Sequence, residues 1–152
     1  MEMNMNIPIP VKLLREGAKM PYSGSEHAAG YDLYACTGRG ETVIGPHTSA
    51  MIGTGLSCAV PEGYFGALFA RSGLAAKEGL RPANCVGVLD SDYRGEIMIA
   101  LHNDTDQEKR VSDGERIAQM VVMPYLTVSF FQAEELDETA RGEGGFGHTG
   151  KL

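Results

Sequence analysis

Cysteine is scarce in this 152-residue chain: Cys36, Cys58 and Cys85 are an odd number with no CxxC spacing. That excludes a disulfide framework and a zinc site of the usual kind, and leaves three reduced, buried thiols as the expectation. Histidine is equally thin, with His27, His47, His102 and His148 scattered without ligand-like intervals, which argues against a His-based metal centre. No apolar run approaches the ~18 residues of a membrane span. Met1 to Asn6 is polar and lacks the apolar core of a signal segment, so a cytoplasmic location is expected. Positive charge is also short, 13 Lys and Arg against 20 Asp and Glu for a net charge of -7. The basic residues are singly spaced, which disfavours a DNA or RNA duplex as partner. No tandem repeat is present.

What is plentiful is glycine, at 20 residues, with seven prolines and short apolar runs between them. Turn candidates recur at Gly38 to Gly40, Gly45 with Pro46, Pro61 to Gly63, Asp104 to Asp106, and Asp113 with Gly114. This spacing predicts an all-β sandwich or jelly roll in one domain. The body is expected over residues 1–136, with a flexible segment over 137–152. One short helix is expected over Gly73 to Glu78, capped by Ser72 and stopped by Gly79.

The segment from Gly87 to Glu96, Gly-Val-Leu-Asp-Ser-Asp-Tyr-Arg-Gly-Glu, carries the most chemistry. Asn84 to Leu89 reads as one strand. Ile97, Ile99 and Leu101 alternate with Met98, Ala100 and His102 as a second, half-buried strand, which makes the whole a hairpin. Backbone groups aligned near its mouth can read the edge of a planar ring, while Asp90 can hold a water and Tyr93 can pack on a sugar. Taken alone, the segment reads equally well as a polar hairpin loop.

Five segments in one order resemble the motifs of the dUTP pyrophosphatase (dUTPase) family. They are Ala29 to Leu33, Arg71 to Leu74, the Gly87 to Glu96 hairpin, Gly114 to Met120, and the tail containing Arg141, Gly142, Gly144 to Gly147, Thr149 and Gly150. Two positions depart from the pattern: Leu89 stands where the family often has Ile, and His148 where many members have Ser. The resemblance implies a dUTPase-like, jelly-roll homotrimer whose active sites are each drawn from three chains. The run Val128 to Phe131 and the strand Ile117 to Met123 suit either a subunit interface or a core.

The implied activity is hydrolysis of dUTP to dUMP and pyrophosphate by in-line attack of water on the α-phosphorus. This keeps uracil out of DNA and supplies dUMP. Asp90 is expected to orient and deprotonate the water, with Gln119 holding that water or an α-phosphate oxygen. Arg71, Ser72 and the Gly73 amide are expected on the phosphates, aided by the positive end of the short helix. Taken without its neighbours, Arg71 reads as a surface salt bridge. Mg2+ is the implied cofactor, held by phosphate oxygens and water, with Asp32 acting through the hydration shell. Uracil selection falls to Asn84, Gly87, Val88, Leu89 and Met98, and rejection of the ribose 2′-hydroxyl to Tyr93. In the tail the resemblance gives Arg141 to the γ-phosphate and Phe146 to the uracil face, with Gly147 and Thr149 completing the contacts.

Gly145 to Lys151 fits the spacing of a P-loop, but the lysine is followed by Leu152 rather than Ser or Thr, which rejects an ATPase of that type. Two other readings stand beside the pyrophosphatase. One is a dCTP deaminase of similar fold, disfavoured by the Asp90 to Tyr93 turn and the Phe-containing tail. The other is a non-catalytic module that senses dUTP, disfavoured by intact Asp90, Gln119 and Arg141.

Overall fold

The computed structural model describes residues 6–146. Among these the chain is all-β and jelly-roll-like. Its strands are Val11–Leu13 (β1), Tyr22–Ser23 (β2), Tyr31–Tyr34 (β3), Glu41–Ile44 (β4), Ser49–Gly53 (β5) and Leu56–Cys58 (β6). They continue with Tyr64–Phe69 (β7), Leu80–Pro82 (β8), Gly87–Leu89 (β9), Met98–Asn103 (β10), Lys109–Ser112 (β11) and Arg116–Pro124 (β12). A five-stranded sheet runs β2-β3-β12-β7-β9 and a three-stranded sheet β5-β10-β8, with the pairs β1-β6 and β11-β4 beside them.

Every sheet sends side chains into one core. Leu33, Ile44, Ile52, Leu56, Ile99, Leu101, Val111 and Ile117 are almost wholly buried, each contributing about 1.5–3 kcal/mol on removal from water. The alternation expected for Ile97 to Leu101 is observed, with Ile97, Ile99 and Leu101 buried and Met98 exposed. In β12 the alternation breaks. The register against β3 shifts between Arg116 and Ala118, so Ile117 and Ala118 are both buried while Arg116 stays at the surface.

Local expectations were corrected at two places. The short helix is a π-type turn over Leu74–Glu78 with no side-chain cap, so the Ser72 hydroxyl is exposed and not engaged as an N-cap. Gly79 ends the turn in the left-handed conformation, as expected. Asn84 to Val86 does not extend β9: Cys85 has φ of 60°, and the Val86 amide turns back to the Asn84 carbonyl at 2.6 Å. Cys85 is exposed, contrary to the expectation of burial, whereas Cys36 and Cys58 are buried.

Polar ties hold the turns to this core. Asn103 is fully buried; its amide donates to the carbonyls of Ile44, Gly45 and Gln107, and its oxygen accepts from the Thr105 amide and hydroxyl. A longer-range tie joins the N-terminal segment to the end of the Asp90 turn. Arg15 donates to both Glu96 oxygens at 2.6 Å, and the Gly55 amide donates to one of them at 2.8 Å. The Arg15 hydrogen bonds lead in holding the Glu96 carboxyl below the usual carboxylate range, against the opposing effect of partial burial.

Asn103→Ala should lower unfolding free energy by about 1–3 kcal/mol, because it leaves buried carbonyls without donors. A lower urea midpoint at fixed protein concentration and unchanged m-value is the expected reading. The Glu96 tie makes a pH-dependent contribution of known sign. A depressed folded pKa adds stability above the unfolded value of roughly 4.3, and that stability is lost as pH falls through the lower folded value. The gap in urea midpoint between wild type and Glu96→Gln should therefore be constant above about pH 5 and narrow below about pH 4.

Candidate active site

The two arms around Asp90 do not form the expected ladder with each other. Among the described residues β9 pairs only with β7, through Gly66↔Leu89, Ala67↔Val88 and Leu68↔Gly87, and is an edge of its sheet. β10 pairs with β5 and β8 in another sheet. The physical reason lies in partners already taken: the Ile97 amide donates to Leu56, the Ile97 carbonyl accepts from the Thr54 amide and hydroxyl, and the Ala100 carbonyl accepts from Ala83. The arms diverge around a cavity of about 210 Å3, lined by Leu68, Glu96 and Ile97 together with Asn84, Gly87, Val88, Leu89, Asp90, Tyr93 and Met98. All the residues expected to read the base thus share one cavity. An edge strand on its wall offers the unpaired amides and carbonyls that can recognise a planar ring.

The turn itself is tightly closed. The Tyr93 amide donates to the Asp90 carbonyl at 3.1 Å, and the Tyr93 hydroxyl donates to the Glu96 carbonyl at 2.9 Å. The ring lies against the backbone of Gly95, where any Cβ would collide with the phenol. Asp90 is exposed. It lines the cavity and also a wider groove of about 760 Å3 that passes Pro61, Glu62, Arg94 and Tyr125.

A second cluster gathers on the opposite half of the five-stranded sheet. Asp32 lies within β3, and its carboxylate bridges two guanidinium groups, Arg71 Nε at 3.0 Å and Arg116 Nη1 at 3.1 Å. Arg71 also donates to the Arg116 carbonyl, and Arg116 stands over the Tyr22 ring at 6.0 Å. Gln119 is in register with Asp32 on one side and Phe69 on the other. Its Nε2 donates to the Ala70 carbonyl at 2.9 Å. It fits there because residue 30 is glycine: a Cβ at Gly30 would overlap the Gln119 carboxamide.

Ser72 and Gly73 follow Arg71 and are exposed. Two guanidinium groups against one carboxylate give this ledge a local positive excess in an acidic chain, as an anion site requires. Arg71 thus makes the salt bridge that the residue alone suggested, with Asp32 as its partner. Arg116 is the residue that the sequence reading did not single out. Its position in the Gly114 to Met120 segment was a signal, but only the β12 bulge explains its aim.

The clusters do not meet within one chain. By register Asp90 lies opposite Phe65, four residues along β7 from the Gln119 row and two strands away, a separation of roughly 16 Å at ordinary strand spacing. Arg141 and Phe146 are likewise apart from both. Arg141 Nε donates to the Gly144 carbonyl within its own turn, and the Phe146 ring is fully exposed. Gly147 and Thr149 lie outside the described residues. No group of three His, Cys, Asp or Glu able to hold a metal is found among the described residues.

The same arrangement of strands occurs in known proteins. A family model described as dUTPase matches residues 16–150. The deoxyuridine 5'-triphosphate nucleotidohydrolase of Syntrophotalea carbinolica is 48% identical over 144 residues, 95% of this chain and 97% of that protein. Its namesake from Debaryomyces hansenii is 46% identical over 143 residues, 93% of this chain and 86% of that protein. Among solved structures, the dUTPase of Staphylococcus bacteriophage 80alpha with dUPNHPP superposes with a TM-score of 0.85 at 32% identity, over 94% of this chain and 98% of that one. Sequence and backbone agree over nearly the full length, and the chain belongs to the dUTPase family.

Proposed function

We propose that this protein hydrolyses dUTP to dUMP and pyrophosphate, in sites assembled between the subunits of a homotrimer. The observation that carries the reading is the split site: a base-sized cavity bearing Asp90 and a cationic ledge bearing Arg71 and Gln119, with Asp90 roughly 16 Å from Gln119 in one chain. Each half is incomplete for hydrolysis. Apposition of two chains brings the Asp90 turn of one over the ledge of another. The names of the relatives, deoxyuridine 5'-triphosphate nucleotidohydrolases, support the substrate.

The chain after β12 supports the assembly. From Met123 to Glu143 every described residue is exposed. Leu126, Phe130 and Phe131 are 88%, 93% and 86% accessible, far outside their own core. An apolar run of this kind calls for a partner surface. Val128 to Phe131 thus belongs to an interface between copies, whereas Ile117, Ala118 and Met120 are core residues of their own chain.

In the assembled site, Asp90 takes a proton from the water that attacks the α-phosphorus. One Gln119 amide hydrogen is committed to Ala70, and the other is available to an α-phosphate oxygen. Arg71, Ser72 and the Gly73 amide stabilise the charge that develops as pyrophosphate departs. Asn84, Gly87, Val88, Leu89 and Met98 read uracil, and Tyr93 floors the deoxyribose. The tail of a third chain closes the site with Arg141 on the γ-phosphate and Phe146 stacked on the base, Gly147 and Thr149 adding contacts.

Mg2+ is the proposed cofactor, and the donor set fits an indirect role only. Both Asp32 oxygens already face guanidinium groups, so Asp32 would reach the ion through its water shell while phosphate oxygens hold it directly. When bound, the ion neutralises charge along the triphosphate.

Offered dUTP, dCTP, dTTP and UTP with Mg2+, the protein should release pyrophosphate from dUTP and no ammonia from dCTP. Ammonia would indicate the deaminase, and neither product the sensing module. Asp90→Asn should reduce kcat by about 10²–10⁴-fold while calorimetry still records binding of a non-hydrolysable dUTP analogue. Deleting residues 141–152 should leave the assembly a trimer by sedimentation, with kcat/KM for dUTP reduced at least about tenfold by loss of a charge-assisted contact and a base stack.

A further inference from the structure

The Asp90 turn is fastened to the body at Glu96, by both the side chain and the backbone of that residue. Its carboxylate accepts two hydrogen bonds from Arg15 and one from the Gly55 amide, and Arg15 also donates to the Cys36 carbonyl at 2.6 Å. The backbone carbonyl of Glu96 accepts the Tyr93 hydroxyl. Among the described residues nothing comparable holds the outer face of the ring; Tyr93 is 44% accessible and its ring rests against Gly95 on the inner side. The phenol is thus aimed by one hydrogen bond, and the acceptor of that bond is fixed by a two-pronged ion pair.

We infer that Arg15 and Glu96 are positioning residues for sugar selection, holding the Glu96 carbonyl and through it the Tyr93 ring in the place that rejects a ribose 2′-hydroxyl. The inference rests on the reading of Tyr93 as the floor of the deoxyribose site. Arg15 has no part in the cavity lining. It acts from the far side of Glu96, 81 residues away in sequence. A guanidinium is suited to the task because its planar fork fixes both carboxylate oxygens at once, whereas an ammonium holds one point. When the pair is broken, the carbonyl gains freedom, the ring tilts from Gly95 and room opens at the 2′ position.

A residue that served stability alone would change the amount of competent enzyme and scale dUTP and UTP turnover equally. The informative quantity is the ratio of kcat/KM for UTP to that for dUTP. Glu96→Gln keeps the shape and removes the charge, and it should raise this ratio about fivefold, in line with loss of one net hydrogen bond. Arg15→Lys keeps the charge but not the fork, and should give a smaller rise in the same direction. Tyr93→Phe should match Glu96→Gln, and the double variant should rise no further, because both changes cut one chain of contacts.

A fluorotyrosine spectrum, with the Tyr93 signal assigned by its loss in Tyr93→Phe, gives a reading that needs no turnover. That signal should shift or broaden in Glu96→Gln and in Arg15→Lys. A ratio unchanged within twofold in both Glu96→Gln and Arg15→Lys, an additive double variant, or an unperturbed Tyr93 signal overturns the inference. Wild-type protein that releases no pyrophosphate from dUTP overturns the proposed function instead, and the spectrum then decides the Arg15–Glu96–Tyr93 linkage alone.

Discussion

The constraint on which the site depends is the direction in which two strands satisfy their backbone hydrogen bonds. β9 faces β7, while β10 faces β5 and β8, so the arms that carry the Asp90 turn belong to different sheets. Had they paired with each other, their amides and carbonyls would be consumed in a ladder and no cavity would separate them. The outward pairing leaves an edge facing inward and opens about 210 Å3 between the arms. Ile97, Thr54 and Leu56 fix this choice through the bonds they exchange. They lie in or beside the core, and only Ile97 of the three lines the cavity, yet together they shape the wall against which a base would be read.

The second half of the proposed site faces a different problem, since it would hold a polyanion on a chain of net charge -7. The answer is local. Asp32 is mostly buried and draws Arg71 and Arg116 together from separate elements. Alone, two guanidinium groups so close would repel each other; with one carboxylate between them they form a fixed surface with positive charge to spare. The bulge in β12 is what points Arg116 this way while Ile117 and Ala118 both remain in the core.

Much of this was legible in the residues. The glycine and proline spacing pointed to short strands. The alternation from Ile97 to Leu101 marked the buried face of β10, and the residues from Asn84 to Met98 singled out in the sequence line one cavity. What was not legible was non-local. Period-two patterning states which face of a strand is buried, but not which neighbour it pairs with, so two adjacent apolar segments read as a hairpin although they join different sheets. The left-handed turn at Cys85 left no signature, because cysteine is an uncommon residue in that conformation. Arg15 and Glu96 escaped notice for a similar reason: each is unremarkable alone, and only the fold brings their charges within 2.6 Å.

The roughly 16 Å between the Asp90 turn and the Gln119 ledge also bears on inheritance. In the proposed trimer each site borrows its parts from different chains, so two alleles damaged in different parts are not equivalent to one damaged twice. A chain lacking a working Asp90 and a chain lacking a working Gln119, mixed in one assembly, leave some sites with an intact turn over an intact ledge. Two silent gene products can thus complement each other within the particle, while a single defective copy poisons sites that its sound neighbours would otherwise complete.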